Sequence, residues 1–289
     1  MLYAVAVCCM LLLSSCIPDP LEIAVEEHQP RPVVASQIIP DKELVVALTR
    51  SFSPLSDPIV DGQVSQAFLD KILISDAWVT ISYLGRTDTL HMVSPGIYAS
   101  DLSLVYDYGT YELHAKDPVS GQEISATSTM LPRVNFDTVF PGVVRTPDDT
   151  IITVHYSIED DPTVPNWYLV GFYKRSDPSV GTNLDITDYF GDGANQLSEV
   201  ELISDQLFED GKYTASKVLE GVSGQDTIAV VLSNISEGYF EFLHAFKKSG
   251  NILNQLTGEP INYPTNVTNG YGYFNTHNPD AHVFDLKAY

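Results

Sequence analysis

The sequence predicts a mostly β chain of two consecutive β-sandwich units, Ig-like in pattern, with one short helix near the C-terminus. Three observations carry this expectation. Short runs alternate polar and apolar residues at period two, as in Trp78-Val79-Thr80-Ile81-Ser82-Tyr83-Leu84. Turns containing Pro and Gly punctuate these runs at the spacing of sandwich strands. One longer stretch, Ser236 to Lys248, instead repeats its apolar residues at helical spacing. The 289 residues suit one large or two medium β domains, and 44% apolar with 10% aromatic content can build a sizeable core.

The chain opens on an apolar run, Met1 to Leu13, that ends in Leu13-Ser14-Ser15-Cys16. This reads as a lipoprotein signal peptide over residues 1–15, with Cys16 as the acylated first residue of the mature chain. Small residues before the Cys let a signal peptidase close on the backbone. The start Met1-Leu2-Tyr3 lacks the usual Lys or Arg. The run itself, about 13 residues, is shorter than the roughly 20 that span a membrane. Cys8 and Cys9 leave with the leader and Cys16 carries lipid, so the mature fold has no disulfide and depends on core burial. Residues 16–32 form an extended acidic tether, because Pro18, Pro20, Pro30 and Pro32 alternate with Asp19, Glu22, Glu26 and Glu27.

The N-terminal sandwich is expected over residues 33–132. Val33-Val34 leads to Ile38-Ile39, and Leu44 to Arg50 forms the next strand. Ser65 to Lys71 offers one short helix within a long connection. Trp78 to Leu84 stops at Gly85, Asp88 to Met92 follows, and Ser94-Pro95-Gly96 turns into Ile97-Tyr98. Tyr111 to Lys116 pairs with Glu123 to Met130 across Asp117-Pro118-Val119-Ser120-Gly121, a hairpin turn. Pro132 closes the unit.

The C-terminal β-rich domain, residues 133–289, begins near Asn135-Phe136-Asp137. Thr150 to Ile158 alternates, with Ile152, Val154, Tyr156 and Ile158 on one face. Asn166 to Lys174 and Asp226 to Leu232 are further strands. Ser236 reads as an N-cap for a helix over about 236–248. Its stripe is Tyr239, Phe242, Leu243 and Phe246, at i, i+3, i+4 and i+7. Lys247-Lys248 complements the helix dipole and Gly250 can end it. The closing segment runs from Glu259-Pro260 through Asn269-Gly270-Tyr271-Gly272-Tyr273-Phe274 to Tyr289.

Charge and motif content narrow the function classes. The net charge of −23, from 38 acidic and 15 basic residues, argues against nucleic acid and against anionic headgroups. No G-x-S-x-G or other nucleophile motif is present, so no catalytic residue is assigned and the chain is read as a non-enzyme. No cofactor is expected beyond a divalent cation. Two groups offer candidate ligands for one. His277, Asp280 and His282 would converge if a turn at Asn278-Pro279 folded the ends together. The loop with Asp185, Asp188, Asp192 and Asn195 supplies hard oxygens without the order of an EF-hand. Aromatic residues in or beside loops form a candidate binding surface: Trp167, Tyr168, Tyr263, Tyr271, Tyr273 and Phe274.

The strand motifs Ser75-Asp76-Ala77-Trp78-Val79, Ser94-Pro95-Gly96-Ile97-Tyr98 and Thr127 to Pro132 also occur in one order with later ones. These are Asp205-Gln206-Leu207-Phe208, Ile235-Ser236, Tyr239 to Leu243, Glu259-Pro260 and the block from Asn266 through Phe274. In that order the chain resembles a Bacteroidota outer-membrane lipoprotein family catalogued as domain of unknown function 4249. The final block is the most specific part, and Ser36 stands where that family has glycine. The acid after Cys16 resembles the surface-export signal of Bacteroidota lipoproteins. Four triplets at Thr89, Thr138, Thr150 and Thr227, each Asp-Thr-apolar, resemble the O-glycosylation acceptor of the same group. The resemblance implies a lipid-anchored outer-membrane protein facing the cell exterior. It implies a non-catalytic binding or accessory module beside a TonB-dependent β-barrel receptor. An envelope adhesin or spacer, and a surface hydrolase, are the alternatives.

Overall fold

Nearly every stretch of period-two alternation becomes a strand. The computed structural model describes residues 29–38, 44–53, 59–60, 63–100, 109–146, 149–161, 163–175, 197–248 and 263–289. The leader 1–15, Cys16, most of the tether and the loop bearing Asp185, Asp188, Asp192 and Asn195 lie outside the described residues. The strands of the first half are β1 (Pro32–Ile38), β2 (Leu44–Arg50), β3 (Ile59–Val60), β4 (Gln63–Val64), β5 (Trp78–Tyr83), β6 (Arg86–Ser94), β7 (Ile97–Ala99), β8 (Gly109–Lys116) and β9 (Glu123–Met130). One helix, α1 (Gln66–Ile72), lies among them and is capped by the Ser65 hydroxyl, which accepts from the Phe68 N–H at 3.1 Å. The second half contains β10 (Phe136–Arg145), β11 (Thr150–Glu159), β12 (Trp167–Arg175), β13 (Leu197–Ser204), β14 (Lys212–Val218) and β15 (Thr227–Ile235). Helix α2 (Glu237–Lys248), β16 (Val267–Thr268), β17 (Tyr271–Tyr273) and β18 (Asp280–Asp285) complete it. The mostly β expectation holds, as do the helix after Ser236 and the hairpin at Asp117. No described helix is long and apolar enough to cross a membrane.

Among the described residues, one sheet holds nine strands in the order β16-β9-β8-β5-β6-β7-β2-β1-β17. Its two outermost strands, β16 and β17, are the arms of the tight turn at Asn269-Gly270, so the two ends of the sheet meet. The result is a nearly closed, barrel-like arrangement. Alternation along β8 and β9 sends Tyr111, Leu113, Ala115, Ile124, Ala126 and Met130 inward. They join Val34, Leu48, Val79, Ile81, Tyr98, Val267 and Phe274 in one buried cluster. Residues 267–274 thus belong to the first core, although they follow the whole second half of the chain.

Closure depends on glycine. β1 and β17 pair in parallel, with Val34 opposite Gly272. Gly272 adopts φ +86°, and a Cβ there would overlap the Val34 carbonyl oxygen. At Gly270 a Cβ would lie 2.7 Å from the Pro32 oxygen. The Asn-Gly-Tyr-Gly-Tyr block is therefore the seal of the sheet. A second fastening lies at the hairpin turn, where the buried Asp117 carboxylate accepts from Arg50 Nε at 2.8 Å and Nη2 at 2.7 Å. Burial alone would raise its pKa. The Arg50 bonds, the Val119 N–H and the Ser120 hydroxyl outweigh burial and draw it down to about 2.

The second half forms a three-stranded sheet, β10-β11-β14, and a four-stranded sheet, β13-β12-β15-β18. Phe136, Ile152, Val154, Tyr156 and Ile158 from the first meet Tyr168, Val170, Phe172, Ile228, Val230 and Leu232 from the second in one buried cluster. Among the described residues, the chain passes between the halves at residues 131–135 and 274–279. They are cross-linked. Ser128 Oγ accepts from the Thr276 N–H at 2.9 Å, Arg133 pairs with Asp280, and the Asp280 carboxylate accepts from the Phe136 N–H at 3.0 Å. Ser36 sits in mid-strand on β1 and makes no turn. Its hydroxyl donates to the Asn275 carbonyl at 3.0 Å and accepts the Asn275 N–H at 2.7 Å.

Candidate functional site

Helix α2 begins where the Ser236 hydroxyl accepts from the Tyr239 N–H at 3.4 Å and the Ser236 carbonyl accepts from the Phe240 N–H at 3.0 Å. Its stripe lies on the outer face of the four-stranded sheet, against Trp167, Leu169, Val200, Leu202 and Ile235. Lys247 Nζ donates to the Val200 carbonyl at 3.0 Å and holds the far end of the helix. The stripe is only partly covered. Tyr239 is buried, whereas Phe240, Phe242, Leu243 and Phe246 remain half-exposed.

The nine-stranded sheet completes this surface through Tyr273 of β17. Its ring lies 5.3 Å from Tyr239 and 5.4 Å from Phe242, centroid to centroid. Phe242 also meets Tyr263 edge-on at 6.2 Å and stacks on Phe246 at 5.8 Å. Gly238 makes room for this junction: a Cβ there would sit 2.5 Å from the Tyr273 hydroxyl. Burial raises the Tyr273 pKa and a bond to Ser236 opposes it, so the phenol stays neutral near pH 7. The arrangement is an aromatic seam shared by both halves of the chain. It presents half-exposed rings, fixed by packing, and is chemically suited to contact rather than to proton or group transfer.

The structure sorts the sequence-predicted residues. Trp167, Tyr263 and Tyr273 lie in the seam. Tyr271 lies apart from it, beneath the guanidinium of Arg31 at 5.6 Å from ring centroid to Cζ. Tyr168 and Phe274 do not belong to a surface, because both are fully buried. The reason is strand alternation: Tyr168 faces opposite to Trp167 and enters the second core, and Phe274 enters the first. The sequence reading missed the exposure of the α2 stripe. The unpaired signal was Gly238 on a helix face next to Tyr239, where only a close neighbour requires glycine.

The His277, Asp280 and His282 convergence is also corrected. Residues 274–279 run without a turn into β18, so the ends do not fold together. His277 is buried with its Nδ1 3.0 Å from Asn275 Nδ2, and burial lowers its pKa to about 4. Asp280 is engaged by Arg133, by the Phe136 N–H and by His282 Nε2 at 3.1 Å. Among the described residues no three His, Cys, Asp or Glu side chains converge as metal ligands. Of the Asp-Thr-apolar triplets, Thr89 and Thr138 are exposed on strands, and Thr138 Oγ1 lies 2.7 Å from Ser157 Oγ. Thr150 and Thr227 are half-buried strand residues.

A family model described as Domain of unknown function (DUF4249) matches residues 18–281. The chain belongs to that family. No curated protein matches this DUF4249 chain. Among solved structures it is similar to trypsin-activated α2-macroglobulin from Escherichia coli, at 13% identity and a TM-score of 0.23. That overlap covers 72% of this chain and 15% of the macroglobulin, so the chain spans about a seventh of its length. It is also similar to a DUF3823 family protein from Bacteroides ovatus, at 14% identity and a TM-score of 0.23, over 62% of this chain and 87% of that one. TM-scores this low establish neither a shared architecture nor a shared activity.

Proposed function

We propose that this DUF4249 chain is a lipid-anchored outer-membrane protein, exposed to the cell exterior, that acts as a non-catalytic binding module. Its partner in this reading is a TonB-dependent β-barrel transporter. Cys16 carries the lipid, residues 16–32 are the tether, and two sandwich-type, Ig-like units over 33–132 and 133–289 form the body, with residues 267–274 of the second stretch returning to the first core. The observation that carries the reading is the aromatic seam in which the partly exposed Phe242, Tyr263 and Tyr273 pack around the buried Tyr239, held by both halves of the chain. A lipid anchor confines such a surface to a thin layer above the bilayer. There a modest contact gains effective concentration. Two separate buried clusters support the two-unit reading.

The test is a mild-detergent pull-down of C-terminally tagged protein from native membranes. Wild type is expected to bring a β-barrel in stoichiometric yield. Phe242→Ala combined with Tyr263→Ala should lower that yield by about tenfold while the fold is kept, because half-exposed aromatic anchors dominate contact energies. A clean monomer that survives cross-linking controls would overturn the partner assignment. A barrel retained equally by the double variant would overturn the seam as its contact.

A further inference from the structure

Where Asn269 leads into β17, a cleft of about 370 Å³ is lined by Arg31, Gln122, Glu123 and Asn269. Three distant pieces of chain form it, brought together where the nine-stranded sheet closes. Arg31 stands between Pro30 and Pro32, which stiffen the backbone on both sides of it. The Ser51 N–H donates to the Arg31 carbonyl at 2.8 Å, and Ser51 Oγ accepts from the Arg31 N–H at 3.0 Å. Gln122 Nε2 donates to the Pro30 carbonyl at 3.3 Å and ties the opposite wall to the same segment. The exposed Arg31 guanidinium lies over the Tyr271 ring, its Cζ 5.6 Å from the centroid.

Arg50, Arg133 and Arg145 all bond carboxylate or carbonyl oxygens, but among the described residues no carboxylate meets the Arg31 guanidinium. Glu123 is already taken by Lys116 Nζ at 2.6 Å. The lining itself carries Arg31 and Glu123; with Glu123 engaged by Lys116 from outside the cleft, Arg31 is the cation left to meet a ligand, in a chain whose total is −23. The neutral amides of Gln122 and Asn269 add hydrogen-bonding groups. A fork-shaped cation on a stiff backbone, flanked by amides, matches a planar monoanion. A phosphate dianion would meet Glu123 as well.

We propose that this cleft is a binding site for a carboxylate-bearing small molecule, its carboxylate paired with the Arg31 guanidinium over Tyr271 and its polar remainder met by Gln122 and Asn269. The carboxylate has two chemical sources, a uronate sugar or a peptide C-terminus, and both use the same pairing.

The test uses the full-length chain in detergent micelles, with its six arginines labelled with ¹⁵N, titrated with sodium glucuronate, N-acetylglycine and glucose. The Arg31 Nε–H resonance is assigned by its loss in Arg31→Gln, with the other five resonances reporting that the variant is folded; Arg31→Lys serves if it is not. The expected result is a saturable Arg31 shift with glucuronate or N-acetylglycine, half-complete near about 1 mM, and none with glucose. The tighter of the two acids identifies the source. Arg86, exposed on β6 and outside the cleft, should not saturate. An Arg31 resonance that stays unshifted with both acids, that moves equally with glucose, or that only follows Arg86 would overturn the site.

Discussion

At the scale of single residues, His277 gives the fold an acid-sensitive contribution to stability. Its ring is buried and bonded to the Asn275 amide, and burial holds its pKa at about 4. In the unfolded chain a histidine titrates near 6.5. The unfolded state therefore takes up the proton first as pH falls. The stabilisation is complete above about pH 6.5 and is lost progressively down to about pH 4, a change on the order of 3 kcal/mol. Urea unfolding at pH 7 and pH 4.5 should show this loss in wild type and a much flatter profile in His277→Gln. Equal slopes would place the acid sensitivity elsewhere. The same residue shows what a sequence leaves open. Two histidines and an aspartate within six positions were legible, but their directions were not, because direction depends on whether the intervening backbone turns or extends. Here β18 starts at Asp280: His277 serves Asn275, whereas Asp280 and His282 pair with each other and Asp280 also holds Arg133.

Among the elements, the closing hairpin makes the sharpest prediction. Gly272→Ala places a Cβ onto the Val34 carbonyl at φ +86°, so β17 must leave β1. Gly85→Ala, at φ +74° with nothing within 4 Å, meets only the left-handed backbone penalty. Thermal unfolding should separate them: a loss of about 3 kcal/mol or more for Gly272→Ala and about 1 kcal/mol for Gly85→Ala. Individual elements were largely readable from sequence. Strands β8, β9 and β11 follow their period-two alternation, and α2 follows its i, i+3, i+4, i+7 stripe and Ser236 cap. The exposure of that stripe was not readable, because a half-covered face and a core face share one periodicity. What covers it, Tyr273, comes from another sheet.

For the whole molecule, the two buried clusters are coupled through the paired crossings at 131–135 and 274–279. Arg133, half-exposed, and Asp280, buried, form the central pair, and Asp280 also accepts from the Phe136 N–H. Removing that carboxylate leaves a buried donor unpaired and frees the crossings from each other. Calorimetry is expected to show one cooperative transition for wild type and two for Asp280→Ala. A single transition merely shifted down would mean that the crossings do not carry the coupling. Sequence indicated two cores and a boundary near Pro132. It did not indicate that residues 267–274 return to the first core, since the parallel pairing of β1 with β17 leaves no local signal in either strand.

That return has a kinetic consequence. Synthesis delivers β1 almost at the start and β17 almost at the end, so the first sheet waits with both edges open while the second half is made. Exposed strand edges are templates for wrong pairing, and contacts so far apart in sequence form slowly. The interval between residue 38 and residue 271 is therefore the period in which this chain is most vulnerable to self-association. Whatever shortens that interval, or keeps the chain extended through it, protects the barrel as effectively as any contact within the finished fold.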